Sequence, residues 1–315
     1  MDARADADAD EDEDDIPIVD AHQHFWDPVT NYIPWLSDKP VPAFRWGDYT
    51  ALKRPYLPDA YRRDIAGHRV VATVHVETEW NPADPLGETR WLEDLAAAEG
   101  LPTVLVGQAW LDRADVADVL AGQARSPLMR GIRHKPKSAA DPRDARRGAP
   151  GSMDDETWRA GYALLARHGL HFELQTPWWH LDAAADLARD FAGTPIILNH
   201  TGMPTGRDGA DLAGWRAGME RLARHPHAAV KISGIGLPGQ PWSLAVNGGI
   251  IADTIAIFGP ARCMFASNFP VDSLIGSFDT IYTGFKRATA HLPPETRRAL
   301  FHDTARRLYR MPSPR

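Results

Sequence analysis

Eight short apolar or β-branched runs recur along the chain, and longer helical patterns separate most of them. The runs cover 16–25, 70–77, 103–110, 129–134, 170–175, 195–200, 228–234 and 262–269. Between them, apolar residues at spacings of three and four, as in 88–100 and 154–169, are typical of amphipathic helices. Strands that alternate with helices indicate βαβ units and a parallel sheet. Eight such units predict a single α/β domain, one closed TIM (β/α)8 barrel, over residues 16–311.

Two segments interrupt this alternation and have the composition of loops. One, at 27–56, is rich in proline and aromatic residues, and the other, at 135–152, is rich in proline, arginine and glycine. Each follows a predicted strand, and the loops that follow barrel strands lie on the catalytic face. We therefore expect inserted loops on that face. Long loops often serve as lids or binding loops, although the second segment is equally compatible with a surface excursion.

Acidic residues are concentrated at the amino terminus. Residues 1–15 hold nine of the 42 Asp and Glu residues but only one of the 35 Lys and Arg residues, so the remainder is nearly neutral despite a formal net charge of -7. Because this stretch lacks large apolar side chains, it is predicted to be a disordered acidic tail. The body has no broad basic face, which argues against nucleic acid as a partner.

Neither a membrane span nor a disulfide is predicted. No run approaches about 20 uninterrupted apolar residues, and the acidic start is the opposite of the cationic start of a signal peptide. The single cysteine, Cys263, excludes an internal disulfide and is typical of a reducing compartment. We expect a cytoplasmic protein without membrane partners, whose oligomeric state the sequence leaves open.

The predicted strands end in polar residues, and in a parallel barrel all of these ends meet at one mouth. The side chains concerned are His22, Gln23, His24, His75, Glu77, Glu79, Arg133, His134, Glu173, Gln175, Asn199, His200, Lys231, Ser233, Ser267, Asn268 and Asp272. One polar residue at a strand end commonly caps a helix or contacts a loop. Their convergence from seven of the eight strands predicts an active site for a small molecule.

Two histidines one residue apart end the first predicted strand. Because side chains alternate with period two, His22 and His24 are expected on the same side of the strand, facing the mouth. Together with His200, they offer three neutral imidazoles, a workable ligand set for zinc or a similar ion. The alternative is that these histidines hydrogen-bond the backbone or the substrate without a metal.

Five motifs resemble those of a known family. They are VDAHQHFWDP, GIRH, LNHTGMP, KISG and MFASNFPVD, at the first, fourth, sixth, seventh and eighth predicted strands. In this order they resemble the amidohydrolase-related (amidohydrolase 2) metal-dependent hydrolases, in particular the branch of sugar-lactone and dicarboxylate-lactone hydrolases, over residues 16–309. The resemblance implies a distorted TIM barrel that hydrolyses a lactone with one divalent ion, Zn or Mn, or in some members without metal.

Carried over by position, the resemblance assigns His22, His24 and His200 to the metal, and Arg133 and His134 to the substrate. The chain departs from the family pattern at two places. Asn268 stands where the family has an aspartate that ligates the ion or accepts a proton, and Gln175 stands where fuller metal sites have a histidine. Because an amide is neither a base nor an anionic ligand, the metal is expected to be held weakly or to be dispensable. Asn268 and Gln175 then remain candidates for substrate binding.

The missing aspartate leaves the general base to be found elsewhere. Asp272, four residues beyond Asn268, and Glu77, at the end of the second predicted strand, are the carboxylates near the mouth, and His75 is a further candidate. Asp272 is equally able to cap the next helix. Lys231, together with Arg133 or His134, is expected to hold an anionic group of the substrate.

The preferred interpretation is a hydrolase that opens a lactone or related cyclic ester of a small, anionic or sugar-derived substrate. A lyase or decarboxylase of the same superfamily, or a barrel that binds a small molecule after losing catalysis, remains an alternative. Tryptophans are candidates for stacking on a ring: Trp26, Trp35, Trp46, Trp80, Trp178 and Trp179. No G-x-S-x-G motif is present, so a serine esterase is not expected.

Overall fold

A computed structural model of the chain describes residues 15–41, 43–207 and 209–312. Within these ranges, eight parallel strands form one sheet in chain order, from β1 to β8. They are β1 (Ile18–Gln23), β2 (Val70–Val76), β3 (Val104–Gln108), β4 (Met129–Arg133), β5 (His171–Leu174), β6 (Ile196–Leu198), β7 (Ala228–Ile232) and β8 (Cys263–Phe265). Helices surround the sheet, and the predicted TIM barrel is confirmed.

The longer helices follow the strands and cover the outside of the barrel. The α-helices of the described residues are α1 (Pro34–Ser37), α2 (Pro58–Asp64), α3 (Gly87–Glu99), α4 (Val116–Gln123), α5 (Glu156–Ala163), α6 (Leu181–Asp190), α7 (Gly209–Ala223), α8 (Leu244–Phe258), α9 (Phe278–Ala288), α10 (Pro294–Arg298) and α11 (Thr304–Leu308). None of these described helices is long and apolar enough to cross a membrane. Small and branched side chains, among them Val19, Val74, Val106 and Ile197, form a separate buried cluster with the composition expected inside such a barrel.

The barrel closes where β1 meets the chain beyond β8. The amide of Asn268 donates to the carbonyl of His22 at 2.8 Å, and the amide of His24 donates to the carbonyl of Phe269 at 2.7 Å. The predicted strand over 262–269 is thus shorter than expected, since β8 ends at Phe265 and only single bonds continue the pairing.

Buried Asp20 joins the two sides of this seam. Its carboxylate accepts hydrogen bonds from the Ser267 amide at 2.8 Å, the Ser267 hydroxyl at 2.6 Å and the Tyr61 hydroxyl at 2.9 Å. Burial raises the pKa of Asp20, and the hydrogen bonds from Ser267 oppose that rise. One side chain of β1 therefore links the chain just beyond β8 to α2.

We expect Asp20→Asn to lower the free energy of unfolding by about 1–3 kcal/mol, because an amide nitrogen would replace an acceptor among buried donors. Urea unfolding followed by circular dichroism measures this change. Asp59→Asn, which alters an exposed carboxylate on α2, is the matched control and should change stability by less than about 0.5 kcal/mol. Equal effects of the two variants would contradict a special role for the seam.

The first insertion lies over the mouth of the barrel, as expected, and the second begins at the same face, directly after β4. The segment at 27–56 is closed at its base by reciprocal backbone bonds between Trp26 and Tyr56, and the Trp35 indole reaches across to donate to the carbonyl of Thr78 at 2.8 Å. In the second insertion, the Lys137 amide donates to the Gly151 carbonyl at 2.8 Å. The predicted tail lies outside the described residues, apart from Asp15.

Candidate active site

A cavity of about 290 Å³ opens among the strand ends and the first insertion. The predicted site residues that line it are His24, Glu77, Arg133, Gln175, His200 and Asn268. His22 and Asp272 lie directly behind this lining, in contact with Arg133 and Asn268 respectively. Trp26, Trp35 and Trp46 also line the cavity, so an aromatic wall faces the polar strand ends.

The three predicted metal histidines lie together. The ring centroid of His22 is 5.0 Å from that of His24 and 4.8 Å from that of His200. Burial lowers the pKa of all three rings well below the ordinary value, and nearby cations lower it further. These imidazoles are therefore neutral near pH 7.

Hydrogen bonds orient the two histidines that line the cavity. Nδ1 of His24 donates to the carbonyl of Val76 at 2.6 Å, since a carbonyl oxygen can only accept. The Nε2 atom of His24 therefore carries a lone pair. Nδ1 of His200 bonds the Ser233 hydroxyl at 2.9 Å. Gly234 packs beneath this second ring with φ +56, and a Cβ there would lie 2.7 Å from Nδ1 of His200, so a glycine is required.

The surroundings of His22 do not fit a metal centre. Nη1 of Arg133 is 3.5 Å from its Nε2, and Nζ of Lys231 is 3.5 Å from its Nδ1. A cation beside each ring nitrogen competes for the lone pair that a metal would need. Within the described ranges, no three His, Cys, Asp or Glu side chains are arranged to hold an ion. The predicted convergence of histidines is present, although both ring nitrogens of His22 face cations.

Glu77 fixes the guanidinium of Arg133. Nε of Arg133 donates to one oxygen of Glu77, and Nη1 donates to Oε1 of Gln175 at 3.2 Å. The other oxygen of Glu77 accepts from the amide of Glu79 at 2.6 Å. Burial raises the pKa of Glu77, and the charge of Arg133 opposes the rise. Because its charge is paired with the guanidinium of Arg133, Glu77 is better placed to orient Arg133 than to accept a proton.

Asp272 has the environment of a tuned carboxylate. Its Oδ1 accepts from Nδ2 of Asn268 at 2.7 Å and from the Trp46 indole at 3.2 Å, and its Oδ2 accepts from the Gly234 amide at 3.1 Å. Burial raises the pKa of Asp272 to about 6, despite these hydrogen bonds and the charge of Arg45. The contact with Asp272 turns the amide oxygen of Asn268 away from it.

Besides His22 and Asp272, three further predicted site residues do not line the cavity. His75 accepts from the Phe25 amide through Nδ1 at 3.1 Å, which leaves Nε2–H to donate to Glu88 at 3.3 Å. With both nitrogens occupied, His75 has no free lone pair with which to act as a base. His134 likewise accepts, through Nδ1, from the Leu111 amide and the Trp158 indole. Burial lowers the pKa of His134 to about 4, so it carries no charge for an anion.

Lys231, the third of these residues, is completely buried. Its Nζ lies 2.8 Å from Oε2 of Glu173, and burial lowers the pKa of Lys231 to about 8 against the pull of that carboxylate. Burial alone would raise the pKa of Glu173, but Lys231 and His171 bring it down to about 2. Lys231 therefore belongs to a buried ion pair beneath His22, not to a substrate contact.

Sequence reasoning missed the charged residues that the first insertion and the loops add to the cavity. Arg45 lines it from the insertion, and Lys135 pairs with Glu79 at 2.7 Å across its rim. The feature of the sequence that could have identified Arg45 was a charged residue in the middle of an aromatic loop. Its importance follows only from how the insertion folds over the mouth.

Strained backbone is concentrated at the cavity. Glu79, His200 and Asn268 all line it and have φ values of 57, 53 and 56. The left-handed region disfavours residues other than glycine and, to a lesser degree, asparagine and aspartate. Such residues cluster at functional sites, where the surrounding structure holds them in place.

Comparison with known proteins agrees with the motifs. The Amidohydrolase family model matches residues 19–311. The chain is 41% identical to the uncharacterized protein y4mH of Sinorhizobium fredii, over 94% of this chain and 99% of that protein. It is 30% identical to L-fucono-1,5-lactonase of Burkholderia multivorans, over 94% of this chain and 97% of the lactonase.

A solved structure supports the same relationship. The crystal structure of an amidohydrolase from Burkholderia multivorans with bound zinc superposes with a TM-score of 0.76 at 27% identity, over 94% of this chain and 99% of that one. The family resemblance predicted from the motifs is thus confirmed. Because the family model extends from β1 to the end of the last helix, the chain belongs to the amidohydrolase family.

Proposed function

We propose that this protein hydrolyses the ester bond of a small lactone at the mouth of the barrel. The observation that carries the proposal is one cavity whose lining combines a fixed guanidinium, neutral imidazoles and an aromatic wall, with a carboxylate whose pKa is about 6 directly behind that lining. The similarity to L-fucono-1,5-lactonase of Burkholderia multivorans supports the same reaction class.

Arg133 is the group proposed to polarise the reacting carbonyl. Its Nε and Nη1 are held by Glu77 and Gln175, so the guanidinium does not need to reorganise when charge develops on the substrate. A preorganised donor of this kind stabilises the oxyanion that forms when water adds to a carbonyl. The neutral rings of His24 and His200 are the adjacent hydrogen-bonding groups.

Asp272 is the proposed general base. It accepts a proton from the attacking water, whose oxygen bonds to the lactone carbonyl carbon, and then returns a proton to the ring oxygen as the C–O bond breaks. Its Oδ2 accepts a single protein hydrogen bond, which leaves capacity for water. Asp272 lies one hydrogen bond behind Asn268, and catalytic hydrogen bonds often tighten only when substrate binds.

The reaction class is tested by a screen of sugar and dicarboxylate lactones with a pH indicator, because opening each ring releases an acid. Mass analysis of the product separates the alternatives, since hydrolysis adds one water whereas decarboxylation removes carbon dioxide. Binding of lactones without turnover would support the third alternative, a barrel that has lost catalysis.

Removal of metal is expected to leave the hydrolytic rate unchanged, because cations flank His22 and no aspartate supplies an anionic ligand at position 268. Elemental analysis before and after dialysis against a chelator, with rates measured on both samples, tests this expectation. If activity disappears and returns with Zn²⁺ or Mn²⁺, then His22, His24 and His200 are metal ligands after all.

The pH dependence should report Asp272. Because the base must be ionised, kcat/KM is expected to fall as the pH falls through about 6, the pKa of that carboxyl. Asn268→Asp would place a second carboxyl at the 2.7 Å contact, and two adjacent carboxyls resist losing both protons. The acid limb should therefore move to higher pH in Asn268→Asp. An unchanged limb would argue for a different base.

A further inference from the structure

Charges around the cavity are paired with one exception. Among the described residues that line it, Arg133 is paired with Glu77 and Lys135 with Glu79. No carboxylate of the described residues lies within salt-bridge distance of Arg45, which also lines the cavity. The lining thus contains three side-chain cations and two carboxylates, and the unmatched cation is on the insertion that covers the mouth.

The position of Arg45 leaves its hydrogen-bond donors available. Its guanidinium carbon lies 4.4 Å from the centroid of the Trp46 ring, and such a contact uses the face of the guanidinium. Among the described residues, none accepts a hydrogen bond from the in-plane N–H groups, which bind carboxylates in pairs. The carboxylate of Asp272 attracts Arg45 only at longer range, because the oxygens of Asp272 accept hydrogen bonds from Asn268, Trp46 and Gly234.

Other candidate anion-binding cations are already engaged in ion pairs or hydrogen bonds. Lys231 is paired with Glu173 inside the barrel, and Arg133 is paired with Glu77. Arg207, whose charge also acts on Arg45, donates to backbone carbonyls and to Asn247. Burial lowers the pKa of Arg45 to about 10, so it is still charged near neutral pH. An anion entering the cavity therefore meets Arg45 as its counter-ion.

We propose that Arg45 binds an ionised carboxylate of the substrate, distinct from the ester that is opened, so that the enzyme selects lactones bearing a second acid group over neutral lactones. The proposal rests on the proposed function and assigns its substrate class. Arg45 comes from the first insertion and Arg133 from the end of β4, so one can hold the carboxylate while the other polarises the reacting carbonyl.

Product binding tests the site without turnover. Isothermal titration calorimetry compares glucarate with gluconate, and galactarate with galactonate, since each pair differs by one terminal carboxylate. The wild-type protein should bind one or both dicarboxylates about 10- to 100-fold more tightly than the matching monocarboxylate, the worth of a charge-assisted hydrogen-bond pair. Arg45→Gln should abolish this preference, and Arg45→Lys, which keeps the charge but loses the fork, should retain part of it.

Arg54→Gln is the matched control, because Arg54 is an exposed arginine of the same insertion and does not line the cavity. This variant should keep the wild-type preference, and melting temperatures check that each variant is folded. Equal wild-type affinity for mono- and dicarboxylates, or a preference that survives in Arg45→Gln, would overturn the inference. The corresponding 1,4-lactones are assayed in parallel. If none is opened while dicarboxylates bind through Arg45, lactone hydrolysis is wrong and the anion site stands.

Discussion

Asp272→Asn should reduce kcat by about 10²- to 10⁴-fold, the usual contribution of a general acid-base group. The amide preserves the shape of the side chain and can still accept from Asn268 and Trp46, so KM for the lactone should change little. The variant lacks the basic carboxylate, with a pKa of about 6, that accepts the proton. Steady-state rates on the best lactone, measured across pH, give both the loss and the disappearance of the acid limb.

Two further variants separate this role from general damage. Asp279→Asn removes an exposed carboxylate seven residues along the chain and should leave kcat unchanged. Glu77→Gln should also lower activity, because it frees the Arg133 guanidinium, but the acid limb near pH 6 should persist. If Asp272→Asn hydrolyses the lactone at the parent rate, Asp272 is not the base.

The barrel was predictable because its strands are buried on both faces. Parallel strands of this kind appear in sequence as nearly continuous apolar runs, and each of the eight predicted runs contains one of the eight strands of the described residues. The predicted run at 262–269 is longer than β8, and this difference has a physical reason. Beyond Phe265 the backbone leaves the strand and passes through Asn268, which has a left-handed conformation. The apolar character of this part of the run therefore reflects packing at the seam and not a strand.

Period two predicts the shared side of His22 and His24 but does not apply beyond the end of β2. His22 and His24 converge on the cavity as expected, although the register of β1 against β2 shifts between Asp20 and Gln23. The same rule would put His75 beside Glu77. However, β2 ends at Val76 and His75 contacts Glu88 of α3, so the alternation does not extend to Glu77.

The remainder of the site depends on contacts that no local pattern encodes. The indole of Trp46 meets Asp272 across 226 positions of chain, and Arg45 reaches the cavity only because the insertion folds over the mouth. The sequence also cannot distinguish a polar residue that lines a cavity from one buried below it. Lys231 and Arg133 both end strands with inward-facing charges, yet only Arg133 borders the cavity.

Lys231→Met should lower the free energy of unfolding by about 3–5 kcal/mol, because it leaves the charge of Glu173 buried without a partner. Both side chains are completely buried, so water cannot replace the lost ammonium group. Methionine has nearly the length of lysine, which keeps the packing loss small. Urea unfolding of the variant and the parent, monitored by tryptophan fluorescence, measures the difference.

The double variant Lys231→Met, Glu173→Gln removes both charges and should recover most of the lost stability, since replacing a buried ion pair as a whole is often nearly neutral. The same variants decide between two roles for this lysine. If Lys231 is the buried partner of Glu173, the variant should lose much of its stability, with little change in KM for the protein that remains folded. A substrate-binding lysine predicts the reverse, and a Lys231→Met enzyme of parental stability with a strongly raised KM would restore the assignment made from the sequence.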